Sequence, residues 1–479
     1  MGALRDRGRK EPSLVRMTRG VDLGAGRGVP FGRGRDFTKG GIVRNLFALS
    51  WPMIVANSVN MIGPTVDMIW VGRLGSSDIA AVGVAGIAVM LVNSTLMGLF
   101  TGLRAMVSRF IGADDEKTAI YVAQQALIIG AASSVLFAVV GIFFAESILG
   151  LVGVAPDVMA EGAMYLRIQF VGMVAMSFRM MTDGTMQASG DVMAPMKIAV
   201  AFRVLHVVLS PVLIFGLWVF PRLGVSGAAV TNVISQSLGT GLSFWILFSG
   251  RSRLRLTLKG LRVDPLMIWR IVRIGLPASV MGMQMNLGQF ILMRFVAPFG
   301  TMAVAAHTLN QRIEMILFMP AWGVGMAAGV LTGQNLGARQ VDRAVKGGWI
   351  ASALVEGFAV VCATAILLWA EAIVHIFSSD PELVPVAATF LRIAVAGYLV
   401  MGLVGVLQQC ISGAGDTLIP MLVSIGAIWL LQIPLAYYLP QNTSLGVYGV
   451  RWAIVAGSIL SAIAYTAYFR GGRWKRKEV

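Results

Sequence analysis

Two groups of side chains in this 479-residue sequence have the types and spacing for chemistry, and both lie inside long apolar runs. Asp67 stands in the first such run and His206 with Ser210 in the fifth, where the i, i+4 spacing puts the last two on one helical face. His307, Gln311 and Glu314 follow i, i+4, i+7 in the eighth run and share a face in the same way. An ionisable side chain inside a membrane costs about 2.5 to 3.5 kcal/mol on insertion scales, so each needs a partner, a wet cavity or a task. A carboxylate beside an imidazole suits reversible proton uptake, because histidine titrates near neutral pH and a nearby Asp tunes it. The competing reading makes His206 a hydrogen-bonded packing residue and Asp67 an acceptor at a helix contact.

Depth constrains both groups. Asp67 lies roughly 35 Å along its helix, while His206 and Ser210 lie about 20 to 25 Å along theirs. The three share a level only if the first helix begins well inside the cytoplasm. Glu314 falls about 18 Å into its span, near the midplane. Arg312, two residues away, points elsewhere on the helix and is no automatic partner. For Glu314 a proton carrier, a counter-ion for a cationic substrate and a structural polar contact all remain open. Asp183 is expected near a helix end, where exposure is cheap.

The elements that must position these residues are membrane-spanning helices. With 57% hydrophobic residues, 13% charged and a mean hydropathy of +0.77, the chain is far from a soluble domain, which carries about 25% charge. Crossing a roughly 30 Å core takes about 20 helical residues. Runs of that kind are read at 45–70, 79–108, 119–145, 161–187, 193–219 and 226–249, then at 268–296, 303–332, 345–370, 383–410, 418–439 and 447–469. The fold class is therefore an all-α polytopic membrane protein with twelve transmembrane helices.

The two sets of six echo each other. Pro52, Gly63, Gly75, Gly98, Gly112, Leu166, Arg167, Gly190, Asp191 and Pro195 recur 225 residues later as Pro277, Gly288, Gly300, Gly323, Gly337, Leu391, Arg392, Gly415, Asp416 and Pro420. This predicts two pseudo-symmetric six-helix lobes with a substrate path where they meet. The expected organisation is an N-lobe over 41–249, a linker over 250–267 and a C-lobe over 268–470. A disordered basic tail over 1–40, with Met17 as an alternative start, and a basic tail over 471–479 flank them. Arg167 and Arg392 recur in both lobes, which points to a role in the shared fold.

Lys and Arg collect in alternate connections, among them Arg109, Lys117, Arg251, Arg253, Arg255, Lys259, Arg339 and Arg343. The positive-inside rule makes those connections and both termini cytoplasmic. The net charge of +16 is then a topology signal near anionic lipid rather than a sign of nucleic acid. Cys362 and Cys410 lie in predicted spans and imply no disulfide. The histidines at 206, 307 and 375 are dispersed, and no metal motif, nucleophile elbow or phosphate loop occurs, so no enzyme activity and no cofactor is expected.

Several stretches resemble the multidrug and toxic compound extrusion (MATE) transporters. They include VDMIWVGRLGSSDIAAVGVA at 66–85, SRFIGADDEKTA at 108–119, MQASGDVMAPM at 186–196, GVSGAAVTNVISQ ending at 236, AVAAHTLNQRIEMILFMPAWGVGMAAGVLTGQNLGA at 303–338 and QQCISGAGDTLIPM at 408–421. The resemblance covers about residues 37–470. It implies a two-lobe antiporter of the cytoplasmic membrane, acting as a monomer, that expels small organic, often cationic or amphipathic, compounds in exchange for protons or sodium.

In the family pattern a first-helix Asp meets an Asn and an Asp on the fifth helix and a Thr on the sixth. Asp67 and Thr231 match, His206 stands for the Asn, and Ser210 replaces the second Asp. Losing a carboxylate weakens a sodium site, so the resemblance with these departures implies coupling to H+ rather than Na+. The NorM-type second-lobe site needs a Glu on the seventh helix. Here that helix offers Gln284, Asn286 and Gln289 but no acid, which places the chain nearer DinF-like than NorM-like members. Gln284 then joins His307, Gln311 and Glu314 as candidates for a substrate cavity or second-lobe proton carrier. A flippase for lipid-linked or polysaccharide precursors is the main alternative, and it would show a more basic centre and extra helices.

Overall fold

A computed structural model describes residues 36–151 and 156–479. Most of the predicted N-terminal tail, with Met17, lies outside the described residues, and so does the side chain of Asp157. The described residues are mainly helical. The N-lobe holds α1 (Ile42–Val71), α2 (Ser76–Gly112), α3 (Glu116–Leu151), α4 (Pro156–Ser189), α5 (Met193–Phe215) and α6 (Val225–Ser249). The C-lobe holds α7 (Pro265–Val296), α8 (Thr301–Gly337), α9 (Val341–His375), α10, α11 (Leu418–Asn442) and α12 (Tyr448–Gly471).

Among the described residues nine of these helices are long and apolar enough to span a membrane alone. A tenth, α10, is broken into Leu383–Tyr398 and Met401–Gly413, which meet at 49°. That break departs from the continuous span expected at 383–410. Glu356 of α9 accepts a hydrogen bond from the Leu403 amide (3.1 Å), one of the donors the break exposes. The remaining two, α4 and α6, are too polar for a hydropathy criterion because their polar side chains face each other. Arg179 bonds Gln236 (2.6 Å), Asn232 bonds Gln169 (2.9 Å) and Ser243 bonds Asp183 (3.2 Å) along one seam. Satisfied within the lobe, these groups need no water.

The 225-residue echo is also a spatial one. Arg167 pairs with Glu146 at 2.7 Å, and its counterpart Arg392 pairs with Glu371, the counterpart of Glu146, at 3.2 Å. The turns closing α4 and α10 repeat likewise, with Gly190 at φ 95° and Gly415 at φ 91°. That left-handed backbone explains a glycine at both places.

The lobes meet through paired small residues. A Cβ on Gly112 would strike the backbone of Gln334, and a Cβ on Gly337 would strike the backbone of Arg109, which is Gln334's counterpart. Gly98 lies against Ser279 and the Gly275 carbonyl, and Gly323 against Ile54, the counterpart of Ser279. Hydrogen bonds across the same surface join Arg104 to Gln409 (2.9 Å), Gln334 to the Ala188 carbonyl (2.8 Å), Ser279 to the Thr95 carbonyl (2.9 Å) and Asn286 to Ser94 (2.8 Å). All fall between mid-bundle and the end that carries the 250–264 linker. Towards the far end no hydrogen bond joins the lobes among the described residues.

Other segments reinforce the linker end. The linker is strapped to α3 by Gln125, which donates to the Arg262 carbonyl (2.8 Å) and accepts from the Asp264 amide (3.0 Å). The basic C-terminal segment is docked: Trp474 is fully buried and stacked on Phe469. Beyond it Lys477 bonds both lobes, its Nζ lying 3.4 Å from Asp416 and its carbonyl accepting from Arg109 (3.1 Å).

Gly98→Val should wedge this contact open, because the added side chain meets Ser279 and the α7 backbone. Overpacking of about 1 to 3 kcal/mol is the expected loss, read as a lower melting temperature in detergent together with faster maleimide labelling of a cysteine placed at Ser108. An unchanged labelling rate would contradict the contact.

Candidate functional site

α1 carries two internal prolines, Pro52 and Pro64, and Asp67 lies about 37 Å along it. His206 and Ser210 lie about 20 and 26 Å along α5. They nevertheless meet, so α1 begins more than ten ångströms deeper at the linker end, by roughly the difference of these rises.

One carboxylate oxygen collects both partners. Asp67 Oδ1 accepts from Ser210 Oγ at 2.8 Å and lies 3.0 Å from His206 Nε2. All three residues are buried, with Asp67 6%, His206 1% and Ser210 0% exposed, which excludes bulk water from the pair. His206 Nδ1 has no partner among the described residues. A neutral imidazole donating through Nε2 satisfies an ionised Asp67, and a protonated Asp67 is satisfied by the other tautomer. The pair therefore keeps its hydrogen bond both without and with an added proton, the imidazole changing tautomer between the two.

Thr231 is not brought into this group. Fully buried, its hydroxyl donates to the Gly227 carbonyl of its own helix at 2.8 Å. Tyr165 of α4 takes a place the sequence reading missed. It is buried, close enough to feel the Asp67 charge, and accepts from Gln169 (2.9 Å), which accepts in turn from Asn232 of α6.

In the C-lobe the geometry gives Glu314 the partner that Arg312 is not. Arg451 of α12, 2% exposed, forms an ion pair with Glu314 Oε1, and the Tyr398 hydroxyl donates to the same oxygen at 3.3 Å. Tyr398 ends the first piece of α10, so Glu314 ties α8 and α12 to the break. Gln311 bridges His307 (3.3 Å) and Gln289 of α7 (2.7 Å), and His307 is fully buried. Gln284 belongs elsewhere: it bonds Ser424, and its oxygen accepts from Trp429 Nε1 at 3.0 Å, both on α11. The four C-lobe candidates therefore do not form one cluster.

Two sequence expectations need correcting. Asp183 is not exposed at a helix end. It is 7% exposed and paired with Arg179 at 2.8 Å, an i, i+4 relation that was legible and overlooked. The centre is also richer in cations than expected, with Arg104, Arg179, Arg203 and Arg451 all buried. It is still not a basic cavity, since Arg179 and Arg451 face carboxylates and Arg104 faces an amide.

Comparison with known proteins gives a consistent picture. The family model MatE matches residues 52–212 and 277–438, one copy in each lobe. The chain is 27% identical over 451 residues to "Probable multidrug resistance protein YoeA" of Bacillus subtilis, covering 92% of this chain and 96% of that protein. It is 24% identical to "Probable multidrug resistance protein NorM" of Thermotoga maritima, covering 91% and 94%. Its fold matches a solved structure described as the outward-facing conformation of a multidrug resistance MATE family transporter of the MOP superfamily. The TM-score there is 0.86 at 24% identity, covering 92% of this chain and 98% of that one.

Glu314→Gln should strand the buried Arg451 guanidinium and cost about 3 kcal/mol of stability. The double substitution Glu314→Gln with Arg451→Met should recover most of it. Melting temperatures of the purified variants check this, and a double variant no more stable than the single would refute the ion pair's structural role.

Proposed function

The chain belongs to the MatE family of membrane transporters, and from that premise we propose that it is a proton-coupled antiporter exporting small organic, often cationic or amphipathic, compounds across the cytoplasmic membrane. The observation that carries the coupling ion is the convergence of Ser210 and His206 on a single oxygen of Asp67. Sodium asks for several oxygen ligands. In this site one carboxylate is gone, an imidazole is added, and the Thr231 hydroxyl is turned to its own backbone. A proton asks only for the Asp67–His206 pair. The absence of an acid on α7 supports a position nearer the DinF-like than the NorM-like branch.

The basic connections make the linker end cytoplasmic, with both termini on that side. On this assignment the glycine contacts between the lobes lie towards the cytoplasmic end. A proton taken up at Asp67 keeps the His206 contact through the other tautomer but removes the charge to which Ser210 donates, weakening the hold of α5 on α1. Rocking of the lobes then parts the small-residue contacts and exposes the path to the cytoplasm. The protein works as a monomer, since each lobe contributes its own half of that path. A flippase for lipid-linked precursors is disfavoured because three of the four buried arginines are already engaged by Asp183, Glu314 and Gln409.

The test is ethidium efflux from proteoliposomes under separately imposed proton and sodium gradients. A proton gradient should drive efflux, a sodium gradient alone should leave it at background, and Asp67→Asn should abolish the proton-driven component while expression and melting temperature stay normal. Robust sodium-driven efflux would overturn the coupling ion, and normal efflux by the Asn variant would overturn the site.

A further inference from the structure

Among the described residues two buried N-lobe arginines have no acid partner, Arg104, which bonds Gln409, and Arg203. Arg203 lies three residues before His206 on α5 and is 5% exposed. Its guanidinium reaches α1 at Gly63, where it occupies the space a Cβ would need. Gly63 is one helical turn before Asp67. Among the described residues no carboxylate lies within ion-pairing distance of Arg203, and its Nε has no hydrogen-bond partner. Besides its contact with the Phe202 ring at 5.1 Å, the guanidinium feels two charges, those of Asp67 and Arg179. Arg179 also lies against that ring, at 4.7 Å, and is satisfied by Asp183.

The internal repeat supplies a control. The counterparts of Gly63 and Arg203 are Gly288 and Ile428, and they make the same contact, with Ile428 at 2.9 Å from where a Gly288 Cβ would be. The counterpart of Asp67 is Leu292. Where the acid is replaced by an apolar residue, so is the arginine, although the packing between the two helices is kept. The arginine goes with the acid rather than with the fold.

We propose that Arg203 is a resident counter-charge of the Asp67–His206 site and sets the pH at which that site takes up and gives back its proton. The proposal rests on the proton-coupling reading above. A fixed positive charge one turn away favours ionised Asp67 and neutral His206, so it lowers the affinity for the incoming proton and eases its release on the cytoplasmic side. The titratable and charged groups facing the pair are Tyr165 from α4 and Arg203 from α5, while Arg179, which also lies against Phe202, is already paired with Asp183. Arg203 is therefore the unneutralised charge, and it acts as a positioning residue rather than one that carries the proton.

The experiment is a proton-loading curve of the full-length protein in liposomes, read from the infrared carboxylic-acid band that Asp67→Asn removes and repeated as the pH profile of ethidium efflux. Arg203→Gln should move both midpoints to higher pH by roughly one to two units, a ten- to hundredfold gain in proton affinity expected of a unit charge at this range. Arg203→Lys should restore the wild-type midpoint. Gly63→Ala, which displaces the guanidinium while keeping its charge, should shift the midpoints in the same direction by less, and it decides the matter if Arg203→Gln does not fold. A wild-type midpoint in the Gln variant, or in the Gly63→Ala variant if Gln does not fold, overturns the assignment of Arg203 alone. A band that survives Asp67→Asn instead overturns the site on which the proposal rests.

Discussion

The two lobes touch backbone to backbone. At Gly112 against Gln334 and Gly337 against Arg109 there is no side chain between the helices, and the rest of the molecule is arranged around that approach. Because the two contacts are related by the internal repeat, each lobe offers the other the same surface, as in a two-fold dimer interface. The closeness lets Arg104 reach Gln409 and Gln334 reach the Ala188 carbonyl, which satisfies polar groups that lipid would not. No salt bridge between side chains of α1–α6 and α7–α12 is found among the described residues. A seal made of van der Waals contact and a few neutral or singly charged hydrogen bonds can be parted without stranding an ion pair.

Much of this was legible in the sequence, for identifiable reasons. Hydropathy and the repeat give the helices and lobes because they are properties of many residues at once. The pairing of His206 and Ser210 with Asp67 follows from spacing within one helix and the depth of a second. What depended on a contact between distant helices was not legible. Arg451 meets Glu314 across 137 residues, and nothing in the local sequence of either names the other. Thr231 and Gln284 sit at plausible depths but turn to partners that a helix-by-helix reading does not weigh: Thr231 to its own backbone, and Gln284 to α11. The break in α10 was equally hidden, since the helix between Leu383 and Gly413 contains no proline after Pro385 to announce it.

The buried acids divide the labour between the lobes. In the N-lobe Asp67 is held by groups that can exchange a proton with it. In the C-lobe Glu314 is held by an arginine that cannot. The first arrangement joins α1 to α5, while the second joins α8 and α12 near the α10 break. A shared scaffold thus holds a buried acid with different partners in each lobe.

The seven residues Gly426–Gln432 of α11 are wound as a π-helix, whereas the corresponding residues 201–207 of α5 are α-helical. A π-turn takes up about one extra residue, so the correspondence that still holds at Ile428 slips beyond it, and Leu435 no longer stands where Ser210 does. Grafting Asp, His and Ser onto Leu292, Leu431 and Leu435 would therefore reproduce the sequence of the N-lobe site without its convergence. Divergence between the halves is written into the winding of a helix as well as into its side chains, and substitution alone does not reverse it.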